Sequence, residues 1–302
     1  MEYQMKLPIE TKYSQSWAKY NLAKTNEKRL FYELLNELCQ LIPEQPYRFG
    51  RPPIQIRDLV FISCLKIYNN FSSRKIAFDT QQAEMAGYIK QAPHINRISD
   101  FMNNPITYDL LQRILTITAM PLKNLEDAYS MDASGFGSYQ YERWMRTRFS
   151  GSKTQWRNYV KGHICIGTRT NVIIGAEVTY ATGSDISQAP KLLETLKDFK
   201  PKQVSADKAY SSYKILKTID EMGADPYIAF KTNTNPSKKS PEIWRRVYFH
   251  YVKNKEQFLK QYHKRSNVET TFSMVKTRLG EFLKSKNYES QRNEVLLKFI
   301  CH

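Results

Sequence analysis

Three acids and a small set of bases stand out for what they could do together. The run "YHKRSNVETTFSMVK" (Tyr262–Lys276) sets one carboxylate, Glu269, among Lys264, Arg265 and Lys276, with His263 beside them. Two more acids, Asp132 after "AYSM" and Asp207 after "QVSA", each close a run that reads as a short strand. Sheet sites form at the carboxyl ends of strands, and the small neighbours Ala133, Ser134, Gly135, Ala206 and Ala209 leave room for a ligand. Taken singly, an Asp in such a place is as ordinary as a turn-former or a helix cap. On a helix turning about 100° per residue, however, Tyr262, Arg265, Glu269 and Lys276 share an arc of roughly 60°. Val268, Phe272, Val275 and Leu279 occupy the adjacent arc and would seat that helix on a sheet. A simple Arg265–Glu269 surface pair would contribute only about 0.3–0.5 kcal/mol and would leave the Tyr and Lys on the same arc unexplained. Metal-assisted phosphodiester cleavage accounts for all of them. Two Mg²⁺ ions about 4 Å apart need bridging and flanking carboxylates, and neighbouring cations hold the phosphates.

The elements that must position these residues can be read from periodicity. From about residue 126 the pattern is three strands, helix, strand, helix, strand, an α/β layout. "YVKGHICIGTRTNVIIGAEVTYATGSD" (159–185) reads as two β-rich runs around a turn at Thr168–Asn171. A helix over 187–199 follows, with Ser187 as its cap, then a strand at 202–207, a helix over 211–223 stopped by Gly223, and a strand at 224–230. The polar, basic stretch 231–246 interrupts the pattern, and a long helix is expected from about Glu256 to Lys286. Before residue 126 the chain reads as helices: 26–42, 54–70, 72–89 with Ser72 or Ser73 as cap, a short one in "RISDFMNN", and 107–120. Short helices joined by tight breaks suit a helix-turn-helix. The organisation expected is a helical DNA-binding region at 1–125 and an α/β domain at 126–302 with a small basic insertion near 231–255.

Charge narrows the partner. The formal net charge is +17, and it is unevenly placed: 16 basic against 13 acidic side chains in 1–128, but 30 against 16 in 129–302. A folded region so basic repels itself unless it meets a polyanion, and nucleic acid is the leading candidate. No stretch approaches the roughly 18 apolar residues of a membrane span, and the first residues do not read as a signal peptide, so the expectation is a cytoplasmic protein. The four cysteines (39, 64, 165, 301) are scattered without ligand spacing, which argues against a zinc site or a disulfide framework. His163 reads as a hydrogen-bonded structural histidine.

The form Tyr-x2-Arg-x3-Glu-x6-Lys, preceded in order by "MDASGF" and "SADKAYSS", resembles the signature of bacterial insertion-sequence transposases of the DDE superfamily. "GADPYIAFKTN" is similar to the strand that follows in that family, and "GRPPIQIRDLVFISCLKIY" to the entry of its N-terminal DNA-binding region. The resemblance covers about residues 48–300. It implies a ribonuclease-H-like catalytic domain with a mixed sheet, preceded by an all-α DNA-binding region. It implies Asp132, Asp207 and Glu269 as the catalytic, metal-binding triad, with Mg²⁺ or Mn²⁺ as cofactor and two ions during catalysis. Tyr262, Arg265 and Lys276 would contact transposon-end DNA; Arg51 and Arg97 are further candidate DNA contacts, as is Trp244 within the basic stretch 231–246, where it would stack on a base or simply pack. A homodimer in the synaptic complex and a bacterial, nucleoid-associated location are also implied. Ala209 stands where Gly is common, and "GSDISQAP" replaces a frequent His-Asp pair, so Asp185 is given no catalytic role. The activity expected is cut-and-paste transposition at terminal inverted repeats. The alternatives are a related metal-dependent nuclease without strand transfer, and a non-catalytic DNA-binding remnant of a truncated element.

Overall fold

A computed structural model describes residues 16–47, 49–50, 52–138, 159–231, 233–234, 236–237 and 239–302. Its centre is β1 (Ala128–Gly137), whose alternation decides what each face of the sheet receives. Tyr129 and Met131 enter one apolar cluster and Phe136 the other, so Asp132 and Ser134 share the face of Phe136. Two antiparallel strands, β2 (Tyr159–Gly167) and β3 (Ile173–Tyr180), extend the sheet on one side. Two parallel strands, β4 (Gln203–Ala206) and β5 (Asp225–Ile228), extend it on the other, giving the order β3-β2-β1-β4-β5. The mixed α/β sheet and the all-helical region before it are therefore as the sequence implied.

The strand over 128–132 is longer than expected. β1 runs five residues past Asp132, which pairs in register with Ile164 of β2. What ends near Asp132 is the parallel ladder: its last pair is Met131 with Ala206. Asp132 and Asp207 thus each lie one residue beyond that ladder. The carboxyl-end argument holds for β4, and for β1 only with respect to this neighbour.

One face of the sheet is covered by α6 (Asp185–Thr195), α7 (Tyr213–Glu221), α8 (Glu242–Lys253) and α9 (Lys255–Tyr262). The opposite face receives α10 (Ser266–Leu279) and α11 (Tyr288–Cys301). The expected uninterrupted helix from Glu256 to Lys286 is absent. A 3₁₀ turn at His263–Arg265 separates α9 from α10, because Phe258 packs in the cluster on one face and Val268 in the cluster on the other. A single straight helix could not serve both. Gly280, at φ +86°, stops α10, and the buried ammonium of Lys298 donates to the carbonyls of Leu279 (3.0 Å), Gly280 (2.5 Å) and Phe282 (3.2 Å) around that end. This places a cation on the negative pole of the helix and ties α10 to α11. The helix expected at 187–199 starts two residues earlier, since Ser184 is the capping position and Ser187 Oγ donates back to its carbonyl at 2.7 Å.

The N-terminal helices are α1 (Trp17–Gln40), α2 (Ile56–Tyr68), α3 (Ala77–Met85), α4 (Ile95–Asn103) and α5 (Pro105–Ala119). α3 begins after a turn over residues 73–76, later than the serines expected to cap it. α2 is buried along most of its length, and its apolar side chains belong to the same cluster as α10, α11 and the β1–β3 side of the sheet. α11 packs on α2, α4, α5 and β3.

Candidate active site

Asp132 leaves β1 on the face that α10 covers. Its Oδ1 accepts the N–H of Ala133 at 2.8 Å, and its Oδ2 accepts Nη1 of Arg265 at 2.8 Å. Arg265 stands at the end of the 3₁₀ turn, and its other nitrogen, Nη2, donates to Glu269 Oε1 at 2.6 Å. One guanidinium therefore bridges two carboxylates from different elements. Asp207 follows β4 directly and caps the short 3₁₀ turn Lys208–Tyr210, accepting the N–H of Lys208 at 2.7 Å. Asp132 is held above the usual carboxylate range chiefly by burial; repulsion from Asp207 and Glu269 adds to this, and the Ala133 N–H and Arg265 oppose it.

The bases line up along α10 and its entry. Tyr262 packs on Phe258, and the Arg265 guanidinium carbon lies 5.9 Å from the centre of its ring. Burial raises the pKa of its hydroxyl, with Asp207 and Asp132 among the charges acting on it. Lys276 donates to Ser134 Oγ at 2.8 Å and sits 5.3 Å over the Phe136 ring, with its pKa lowered by burial. The expected single helical arc is broken by the 3₁₀ turn: Arg265 and Lys276 bond β1 side chains directly, Glu269 is tied in through Arg265, and Tyr262 lies beside the Arg265 guanidinium. Two contacts there had no motif of their own in the sequence. Ser134, the partner of Lys276, lies two residues after Asp132 on the same strand face, so strand period alone could have named it. Tyr210 is the other: its buried hydroxyl has no hydrogen-bond partner among the described residues and feels the charges of Asp185, Asp132 and Asp207.

The remaining candidates lie elsewhere. Trp244 packs edge-on against Phe230 with ring centres 4.9 Å apart, in the cluster under α8, so it braces that helix. Arg97 is exposed on α4 and pairs with Asp100 at 3.6 Å. Arg51 falls outside the described residues. His163 is buried, as expected of a structural histidine, and bonds Thr179 Oγ1 at 2.9 Å. Its Nδ1 lies 3.3 Å from Asp185 Oδ1, which also meets Lys161 Nζ at 2.5 Å.

Among the described residues no three His, Cys, Asp or Glu side chains are drawn together closely enough to hold a metal ion. The chemistry of the site nevertheless fits one. Among the described residues the guanidinium of Arg265 is the one cation paired with these acids, standing in for a metal between Asp132 and Glu269 while Asp207 has no paired cation. A hard divalent ion with oxygen ligands suits that donor set, with Asp132, Asp207 and Glu269 as the residues able to hold it.

A family described as the transposase DDE domain matches residues 123–302. No curated protein matches the chain.

Proposed function

We propose the following for this chain, which belongs to the transposase DDE-domain family: it recognises terminal inverted repeats, cleaves DNA at the element's ends and joins the freed 3′-OH to target DNA. Transposition by DDE enzymes is metal-dependent DNA chemistry, and no helix among the described residues is long and apolar enough to cross a membrane. Asp132, Asp207 and Glu269 form the catalytic triad and would hold the divalent ions, Mg²⁺ or Mn²⁺, two during catalysis. Bound there, such ions lower the pKa of the attacking water or hydroxyl and stabilise the leaving oxygen. The single observation that carries the reading is the guanidinium bridge from Asp132 to Glu269, with Asp207 one residue beyond the shared ladder.

Arg265 has two roles in this account. Without metal it neutralises two of the acids, and with DNA present its forked donors suit a backbone phosphate. Tyr262 and Lys276 flank it and hold the strand in register with the carboxylates. The helices of residues 1–125 supply end recognition, with Arg97 and Arg51 toward the DNA. A homodimer pairs the two ends.

The test uses duplexes carrying the element's own ends, blunt for cleavage and pre-cut for joining. Asp207→Asn and Glu269→Gln should each lower Mn²⁺-dependent cleavage and 3′-OH joining by at least about a hundredfold while the fold persists. Unchanged cleavage in either variant removes the triad assignment. Cleavage by the wild-type chain without joining of pre-cut ends favours the nuclease reading over the transposase.

A further inference from the structure

A second charged site lies away from the carboxylates. A cavity of about 450 Å³ opens where the turn between α10 and α11 meets the N-terminal helices. Four cations line it: Lys66 of α2, Arg74 in the turn before α3, and Lys284 and Lys286 ahead of α11. Five serines share the lining, among them Ser290 in the first turn of α11, and no Asp or Glu does. The acid whose charge acts on both Lys66 and Lys284 is Glu294, itself buried. Its carboxylate accepts the backbone N–H groups of Lys284 at 3.0 Å and Ser285 at 2.8 Å, so it serves the turn.

Lys66 is the informative residue. It is only 6% exposed, yet it has no hydrogen bond or ion pair among the described residues. Its stem is buried while its ammonium, without a protein partner, lines the cavity, where an anion would offset its reduced hydration. Four cations against one carboxylate leave a surplus of three positive charges. Serine hydroxyls and the free N–H groups at the start of a 14-residue helix are donors of the kind that anionic oxygens accept. Arg74 adds a planar fork at the mouth.

We propose that this cavity is a phosphate-binding site, separate from the carboxylates, that takes one phosphate of a DNA backbone. Ten residues of α10 separate Glu269 from Leu279, about 15 Å along the axis, so a duplex held at the carboxylates can also reach the far end of this helix. A free phosphate ion or a mononucleotide carries the same group. The phosphate chemistry does not depend on transposition, and neither measurement below involves metal or cleavage, so its failure is distinct from failure of the proposed activity.

The experiment uses the full chain, wild type and two variants: Lys66→Met, which keeps the buried stem, and Arg74→Gln/Lys286→Gln, both exposed. Thermal melts compare inorganic phosphate, or AMP, with chloride at equal ionic strength, and fluorescence anisotropy follows a generic labelled duplex. Phosphate should raise the melting temperature of the wild type and fail to do so for Lys66→Met. The double variant should bind duplex about tenfold more weakly, with a salt slope smaller by roughly two. If Lys66→Met does not fold, the double variant carries both measurements, with protection lost in it too. No phosphate-specific protection of the wild type overturns the site, even if duplex affinity falls, because unspecific surface charge would explain that fall. Protection with unchanged duplex affinity overturns the backbone assignment and leaves a small phosphate as the ligand.

Discussion

Two clusters of ionisable groups lie on opposite faces of the same pair of strands, and they differ in how their charges close. On the α6 face, Lys161 meets Asp185 at 2.5 Å, and His163 beside them is held neutral, its pKa pushed down to about 4 by burial. One cation answers one anion. On the α10 face, Asp132 and Glu269 share the one guanidinium of Arg265, and Asp207 makes no ion pair among the described residues. Similar residue types on one sheet thus give a balanced set that braces the fold and an unbalanced one that calls for a further cation. The count of charge within reach, more than burial or proximity, separates the structural cluster from the one proposed to be catalytic.

Three measurements would break or sharpen this contrast. The largest effect belongs to the balanced side. His163 titrates at about 4 in the fold against an ordinary value near 6.5, so the unfolded chain takes up its proton first. Stability from this group is present above pH 6.5 or so, and is lost as pH falls through that value toward 4. The whole effect is about 3 kcal/mol. Urea unfolding at pH 7 and pH 5 should show the loss, and His163→Gln should flatten it. An equal slope in the variant would mean that the burial of this ring does not set the acid sensitivity.

The second concerns the bridge. Arg265→Gln removes the cation placed between Asp132 and Glu269, and binding of Mn²⁺ without DNA, followed by calorimetry, should tighten by about tenfold. Weaker binding would show that Arg265 organises the acids for metal instead of standing in for it. The smallest effect is on stability at the acid site. Because the Asp132 pKa is raised in the fold, its contribution to stability is full at low pH and is lost as pH rises through the raised value. Asp132→Asn should therefore make the protein slightly more stable at neutral pH, by less than about 1 kcal/mol. A destabilised variant would mean that Asp132 is held mainly by its contact with Arg265.

The sequence made the order of strands and helices legible because period and turn residues are local signals. The three acids were legible through their neighbours: Asp132 and Asp207 by the strands before them, Glu269 by its spacing from Arg265. Where the reading failed, the cause was a partner distant in sequence. β1 continues past Asp132 because β2 pairs with it there, and the long helix breaks because two clusters on opposite faces compete for it. Trp244 has an aromatic partner fourteen residues away in Phe230, and nothing local distinguishes such a ring from one meant for a base. Tyr210 and Lys66 were invisible for the same reason, since a side chain without a partner among the described residues can be recognised only after the fold has placed those others.

The placement of α11 bears on the order in which the protein can come into being. This helix fills the space between α2, α4, α5 and β3, so contacts of the early helices wait for a segment that begins 220 residues after the end of α2 and 169 after the end of α5. During synthesis the apolar sides of α2 and α5 remain uncovered until residues 288–301 have left the ribosome. A nascent chain would then hold its helical region unfinished and open to chaperones, and the N-terminal helices and the carboxylate site would mature together, late and in one step.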